Sequence, residues 1–200
     1  MDMIMRLRGH GIYDTRVLSA MEAVPRRYFV PDACYEQAYA DMELPIDCGQ
    51  SLSSPLTIAM MTQVLEVGPD HKVLEIGTGS GYHAAILSRM VTRVYSIERY
   101  HRLIGAVESR CRQHNFVNIV LRHGDGLQGW RGQAPFDRII VTCGLHAAPT
   151  DLVDQLTDQG RLVAVVNGRL CEYTADKNAA PGDIVGMTLP LFETGKSKVL

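Results

Sequence analysis

The chain has 200 residues, 46% hydrophobic and 21% charged, with 20 Lys and Arg against 22 Asp and Glu. That length buries a full core as one domain, and the balance is that of a globular protein. A net charge of −2 argues against a nucleic-acid-binding domain, which is normally basic. The five cysteines, Cys34, Cys48, Cys111, Cys143 and Cys171, form no C-x-x-C pair and are odd in number. They read as reduced thiols, which gives the expectation of a cytoplasmic protein. The N-terminus lacks the apolar run of a signal peptide, and no 18-residue apolar stretch announces a membrane span.

In chain order, residues 14–24 carry Val17, Leu18, Met21 and Val24 at helical spacing, and Pro25 ends that helix. Residues 25–54 are rich in turns. Ser54 followed by Pro55 reads as a helix start, because serine caps free N–H groups and proline suits the first helical position. The helix continues through Leu56, Ala59, Met60, Met61, Val64 and Leu65. From 72 to about 166, strands and helices alternate. Strands are expected at 73–76, 93–97, 117–121, 138–142 and 162–166, with a short helix at 151–156 stopped by Gly160. Alternation of this kind predicts a mainly parallel α/β sheet with helices on both faces, here behind an N-terminal helical extension. Residues 169–200 read as two strands joined by a Pro181-Gly182 turn, then a tail.

The strand at 73–76 breaks into Gly77-Thr78-Gly79-Ser80-Gly81 before the helical run Ala84-Ala85-Ile86-Leu87. Glycines permit positive φ and let a ligand approach the backbone, and the helix behind them offers free N–H groups. The dinucleotide fingerprint needs its third glycine at position 82, which is Tyr. With Glu75 just before the turn, the E-x-G-x-G-x-G form resembles the first motif of class I S-adenosylmethionine-dependent methyltransferases. Glu98 ends the next strand, where an acidic side chain accepts hydrogen bonds from ribose hydroxyls. Asp125, between Gly124 and Gly126, can accept from an adenine amino group.

Further segments resemble one family within that class. Val24-Pro25-Arg26-Arg27-Tyr28-Phe29-Val30-Pro31, Tyr39 with Leu44-Pro45-Ile46, and Gly49-Gln50-Ser51-Leu52-Ser53-Ser54-Pro55 are similar to blocks of the protein-L-isoaspartate O-methyltransferases. So are Val94-Tyr95-Ser96-Ile97-Glu98-Arg99, Arg122-His123-Gly124-Asp125-Gly126, the segment Phe136 to Thr142, and Leu189-Pro190-Leu191. The resemblance runs over roughly residues 20–195. It departs from the family at Cys48, commonly glycine there; at His83, where Gln is common; and at Cys143-Gly144-Leu145-His146, in place of an Ala-Ala-Pro-like loop.

The resemblance implies a Rossmann-like methyltransferase domain over 1–200. Residues 1–68 would be a helical region with an active-site loop, 69–168 the cofactor-binding core, and 169–200 C-terminal strands and tail. It implies that S-adenosyl-L-methionine is held by Gln50, Ser51, Leu52, Glu75, Gly77, Thr78, Gly79, Ser80, Gly81, Glu98, Arg99, Asp125 and Gly126. It makes Ser53 the catalytic group that orients the acceptor carboxylate, with Leu189, Pro190 and Leu191 binding substrate. The acceptor would be the α-carboxylate of L-isoaspartyl residues in damaged proteins, with no nucleic acid or membrane partner, and the chain a monomer. Such a carboxylate is already ionised at neutral pH, so no general base is required. The seven histidines show no metal-ligand spacing, and Cys143 reads as a buried thiol rather than a nucleophile. Two other readings are an aspartate methyltransferase acting on a dedicated peptide and an adaptor that keeps the fold. A precursor-peptide gene nearby would favour the first, and the intact motif residues speak against the second.

Overall fold

The computed structural model describes residues 3–176, 180–187, 189–192, 195 and 197. The N-terminal part opens with helices α1 (Met3–Gly9) and α2 (Thr15–Ala23), the latter capped by Asp14. Helix α1 escapes the sequence pattern because it buries only Met3 and Leu7, a single pair four residues apart. Two 3-10 turns lead into a small antiparallel ribbon of β1 (Leu44–Pro45) and β2 (Ser51–Leu52). Helix α3 (Pro55–Leu65) begins as expected, with the Ser54 side chain accepting from Thr57 N at 3.2 Å.

The core alternates β3 (Lys72–Ile76), α4 (Tyr82–Ser88), β4 (Arg93–Glu98), α5 (His101–Gln113), β5 (Ile119–His123), β6 (Phe136–Leu145), α6 (Thr150–Val153) and β7 (Leu156–Val166). Strands β8 (Arg169–Thr174) and β9 (Gly182–Gly186) follow. The sheet order is β5-β4-β3-β6-β7-β8-β9; β3 to β7 are parallel, and β8 and β9 add antiparallel. Two expectations shift. The third core strand starts at Ile119, since Val117 stands 81% exposed in the turn after α5. Gly160 does not stop a helix but lies within β7, where pairing jumps from Phe136↔Leu156 to Arg138↔Arg161. A Cβ there would lie 2.7 Å from Leu156 Cβ, so the doubled-back strand requires glycine.

Successive side chains alternate between the faces. Val73, Val94, Ile140 and Val163 pack under Met61 and Leu65 of α3 and Ala84 and Leu87 of α4. Leu74, Ile76, Ile139, Val141 and Leu162 pack on the other face against Leu152 of α6. The N-terminal helices form a further layer, with Val17, Leu18, Met21 and Phe29 against Tyr82, Ala85 and Ile86 of α4. The buried guanidinium of Arg26 lies 5.2 Å from the Tyr82 ring in this layer, and burial lowers its pKa to about 10. Strand order reverses between β3 and β6, and a ligand crevice is expected at the carboxyl ends of strands at such a switch point.

Candidate active site

A cavity of about 550 Å³ opens there, within the range of small-molecule sites. Its wall carries Ile76 and Gly77 from the end of β3 and Ile97 to Tyr100 from the end of β4. Gly126, Cys143 and His146 add to it, with Gly49 and Gln50 on one side and Pro190, Leu191 and Phe192 on another.

The glycine loop is shaped by close approach as well as by φ. Gly77 has φ 94°, and a Cβ on it would lie 2.5 Å from Thr142 Oγ1. That hydroxyl sits 2.7 Å from the Gly77 carbonyl oxygen and 2.9 Å from that of Ile76. Gly81 has φ 84°, and its Cβ would lie 2.7 Å from Val107 on α5. The loop is also pinned to β4. Gly77 N donates to Ile97 O at 2.9 Å, and Gly79 N to Glu98 Oε2 at 2.9 Å. Tyr100 N donates to the other Glu98 oxygen at 3.0 Å. Each carboxylate oxygen has two acceptor sites. Glu98 therefore fixes the loop and keeps a lone pair on each oxygen for hydroxyl donors in the cavity. That arrangement fits the ribose of a nucleoside cofactor.

Glu75 does not face the cavity. It is fully buried on the α3/α4 side, because in β3 it shares the face of Val73. Ser96 Oγ donates to Glu75, and Thr78 Oγ1 lies 2.6 Å from Ser96 Oγ, so a chain of buried polar groups props the loop from beneath. Burial pushes Glu75 up to about 8; the Ser96 hydrogen bond opposes this and the nearby Glu98 charge adds to it. Thr78 and Ser80 are each 4% exposed. Of the motif residues, Gly77 reaches the wall, while Thr78, Gly79, Ser80 and Gly81 build the turn behind it.

The remaining sequence-assigned residues divide in the same way. Gln50 and Arg99 line the cavity, and Gln50 Nε2 is 3.4 Å from the Tyr100 hydroxyl. The Ser51 hydroxyl instead donates to Glu43 at 3.1 Å, and Leu52 packs into the N-terminal core, so neither side chain lines the cavity. Asp125 caps the turn at Gly126: one oxygen accepts from Leu127 N at 3.1 Å and the other from Gly195 N at 2.8 Å. Gly126, not Asp125, forms the wall. Ser54 is the helix cap, which leaves the half-buried Ser53 hydroxyl without a hydrogen-bond partner among the described residues. Leu189 is 4% exposed and packs with the α3 core, so its side chain cannot meet substrate. Pro190 and the 58% exposed Leu191 stand on the wall.

Two departures from the family pattern acquire physical reasons. Cys48 has φ 61°, a left-handed conformation that glycine adopts without cost. The thiol is raised by burial and by the negative charge of Asp47. His83 is buried beside Thr62, whose hydroxyl donates to Ile58 O at 2.7 Å. The hydroxyl proton being committed, His83 Nε2–H must donate to Thr62 Oγ1 at 2.8 Å, and burial lowers the imidazole to about 4. His83 is thus a neutral packing residue. Burial drives Cys143 up to about 12, with Glu98 reinforcing it, so the thiol stays protonated on the cavity wall. Among the described residues no group of three His, Cys, Asp or Glu could hold a metal, and no helix is long and apolar enough to cross a membrane. Tyr100 and His146 stand on the cavity wall with no role assigned from sequence. Tyr100 had a local signal, two residues past Glu98.

A sheet of this order, with its glycine loop at the switch point and Glu98 at the end of the neighbouring strand, has the Rossmann-like fold of S-adenosylmethionine-dependent methyltransferases. The sequence profile of the protein-L-isoaspartate(D-aspartate) O-methyltransferase family matches residues 1–185. A protein-L-isoaspartate O-methyltransferase of Maricaulis maris is 52% identical over 165 residues, 82% of this chain and 78% of its own length. Its counterpart in Parvibaculum lavamentivorans is 51% identical over 165 residues, 82% and 74% of the two chains. The chain belongs to the protein-L-isoaspartate(D-aspartate) O-methyltransferase family, whose members depend on S-adenosylmethionine. Solved structures agree on the fold. One protein-L-isoaspartate O-methyltransferase superposes with a TM-score of 0.84 at 23% identity over 96% of this chain; this chain spans 65% of that one, just under two thirds. A Plasmodium falciparum structure in complex with S-adenosyl-L-homocysteine gives 0.83 at 21% identity over 96% of both chains. The profile ends at 185, so the likeness read into Leu189-Pro190-Leu191 lies beyond the matched residues.

Proposed function

We propose that this chain methylates the free α-carboxylate of L-isoaspartyl residues in damaged proteins and peptides, a protein-repair reaction. The observation that carries this reading is the cavity itself. In a chain of this family, its cofactor wall is fixed by Glu98, and Gln50 and Pro190–Leu191 rise beside it. S-adenosylmethionine, when bound, supplies a methyl group activated by its sulfonium. Glu98 would hold the ribose, Gly77 would allow backbone approach, and Gly126 would leave room at the adenine end. The acceptor carboxylate arrives ionised, so the protein supplies alignment and exclusion of water rather than a proton acceptor. Ser53 would donate to that carboxylate, a role supported by the absence of a hydrogen-bond partner for its hydroxyl among the described residues.

The exposed segment beside it can guide the peptide. Gly144 N donates to Pro190 O at 2.7 Å, and Phe192 N donates to Gly144 O at 2.8 Å. In an extended chain the peptide groups between such a pair point to the opposite edge. Leu191 N–H and C=O then face outward, where an acceptor backbone could pair as an added strand. The same reading has the chain act as a monomer in the cytoplasm, where its thiols stay reduced, on proteins rather than nucleic acids. Transfer of a tritiated methyl group to an isoaspartyl peptide, compared with its aspartyl twin, tests the function. Label on the isoaspartyl peptide alone is expected; preference for the aspartyl twin overturns the repair reading.

A further inference from the structure

Three cavities meet end to end on this molecule. The 550 Å³ cavity shares His146 and Phe192 with one of about 300 Å³, which in turn shares Ala148 and Thr150 with a third of about 440 Å³. They form one furrow that leaves the cofactor cavity at the carboxyl end of β6, follows the loop 146–150, and ends by Tyr173 of β8. Its first stretch is lined by Leu127, Leu145, Pro149 and Phe192. Phe192 is a fixed ridge at the junction, with its N–H held by Gly144 O and its ring 3.5 Å from where a Gly126 Cβ would sit. The opposite lip, residues 146–148 and 150, is exposed.

An acceptor residue inside a polypeptide cannot enter a cavity alone; its neighbours must leave by some path. The furrow shares its lining with the cavity; its first stretch is walled mainly by apolar side chains, whereas Thr150, Asp154, Thr174 and Asp176 stand along its far end. We infer that this furrow binds the polypeptide on one side of the isoaspartyl residue and seats an apolar flanking side chain between Leu127, Leu145 and Phe192. The inference rests on the isoaspartyl reading of the cavity and adds a determinant of flanking-residue preference that the cavity alone does not contain.

The test uses the full chain and isoaspartyl peptides with Leu or Gly placed immediately before, or immediately after, the isoaspartyl residue. In one of the two series the Leu peptide should have a KM lower than the Gly peptide by about tenfold, the lower end of what burying a leucine side chain is worth. Ala148→Trp should fill the furrow from its exposed lip. It should raise the KM of the Leu peptide more than that of the Gly peptide, removing the difference between them, with S-adenosylhomocysteine affinity unchanged. Ala147→Trp, on the same exposed lip, repeats the experiment should the first variant fold poorly. Equal KM values for Leu and Gly peptides in both series overturn the inference, and so do variants that leave the advantage of the Leu peptide intact. Cofactor binding without methylation of any isoaspartyl peptide overturns the functional reading, and the inference with it.

Discussion

The glycine loop at 77–81 and the loop at 46–54 face the same cavity but are fixed by different means. The glycine loop is held from behind by buried groups: Thr142 under Gly77, Val107 against Gly81, the Glu75–Ser96–Thr78 chain, and both oxygens of Glu98. The facing loop hangs from a ribbon of two residue pairs and an Asp47–Arg102 ion pair at 3.2 Å whose side chains are more than half exposed. Exposed pairs of that kind contribute about 0–1 kcal/mol. The cofactor side is therefore braced by more buried polar contacts than the facing loop, whose buried anchors are the apolar Leu44 and Leu52.

The same substitution in each loop should expose the contrast. Gly81→Ala must move Val107 and strain a φ of 84°, whereas Gly49→Ala at φ 66° meets nothing within 4 Å. Backbone strain alone costs on the order of 1–3 kcal/mol. Gly81→Ala should abolish detectable S-adenosylhomocysteine binding by calorimetry and lower the melting temperature; Gly49→Ala should cost only the strain and leave cofactor affinity within a few fold. Equal losses would remove the distinction between the loops. Glu98→Ala comes next. A charged hydrogen bond is worth roughly 1.5–3 kcal/mol, so cofactor affinity should fall tenfold to over a hundredfold. Glu98→Gln should not rescue it, since both oxygens accept backbone N–H groups and an amide nitrogen cannot. Unchanged affinity in either variant would show that Glu98 only braces the chain.

Much of the cofactor side was legible because its signals are local. Three glycines fix a turn, Tyr82 excludes the dinucleotide spacing, and Glu98 falls at a strand end. Glu75 follows strand alternation rather than motif spacing: it lies with Val73 on the face covered by α3 and α4, behind the loop and off the cavity wall. In the two-residue ribbon the Ser51 side chain turns to Glu43 and the Leu52 side chain into the core, an orientation that local sequence does not announce. His146 follows directly on the end of β6. Phe192 reaches the cavity because the chain after β9 returns to pair with Gly144 at the end of β6. Such a contact spans nearly 50 residues and leaves no periodicity to read.

On the acceptor side, Ser53→Ala should lower turnover with isoaspartyl peptide while cofactor affinity stays put. A positioned donor is worth about 10²–10³ in rate where charge develops in a transition state. Here charge on the carboxylate falls as the bond forms, so the loss should be about a hundredfold or less, read as kcat in a methyl-transfer assay. A simultaneous loss of S-adenosylhomocysteine affinity would mean that Ser53 belongs to the cofactor side after all. Wild-type turnover would make it a plain loop residue.

The smallest effect on turnover is expected at Glu75, where the comparison can be sharpened through stability instead. Its folded pKa, about 8, lies above the unfolded value of 4.5. A carboxyl raised in this way contributes its stability below pH 4.5 and loses it as pH rises toward 8, because the unfolded chain ionises first. Each unit of difference is worth about 1.4 kcal/mol. Glu75→Gln cannot ionise, yet its amide oxygen can still accept from Ser96, so the chain to Thr78 and the glycine loop should survive. Urea melts at pH 5 and pH 8 should show the variant gaining on the wild type as pH rises, with cofactor affinity and kcat near wild type at both. A pH-independent difference would mean that Glu75 is ionised in the folded protein, and the loop would then stand on a buried charge rather than on a neutral chain of hydrogen bonds.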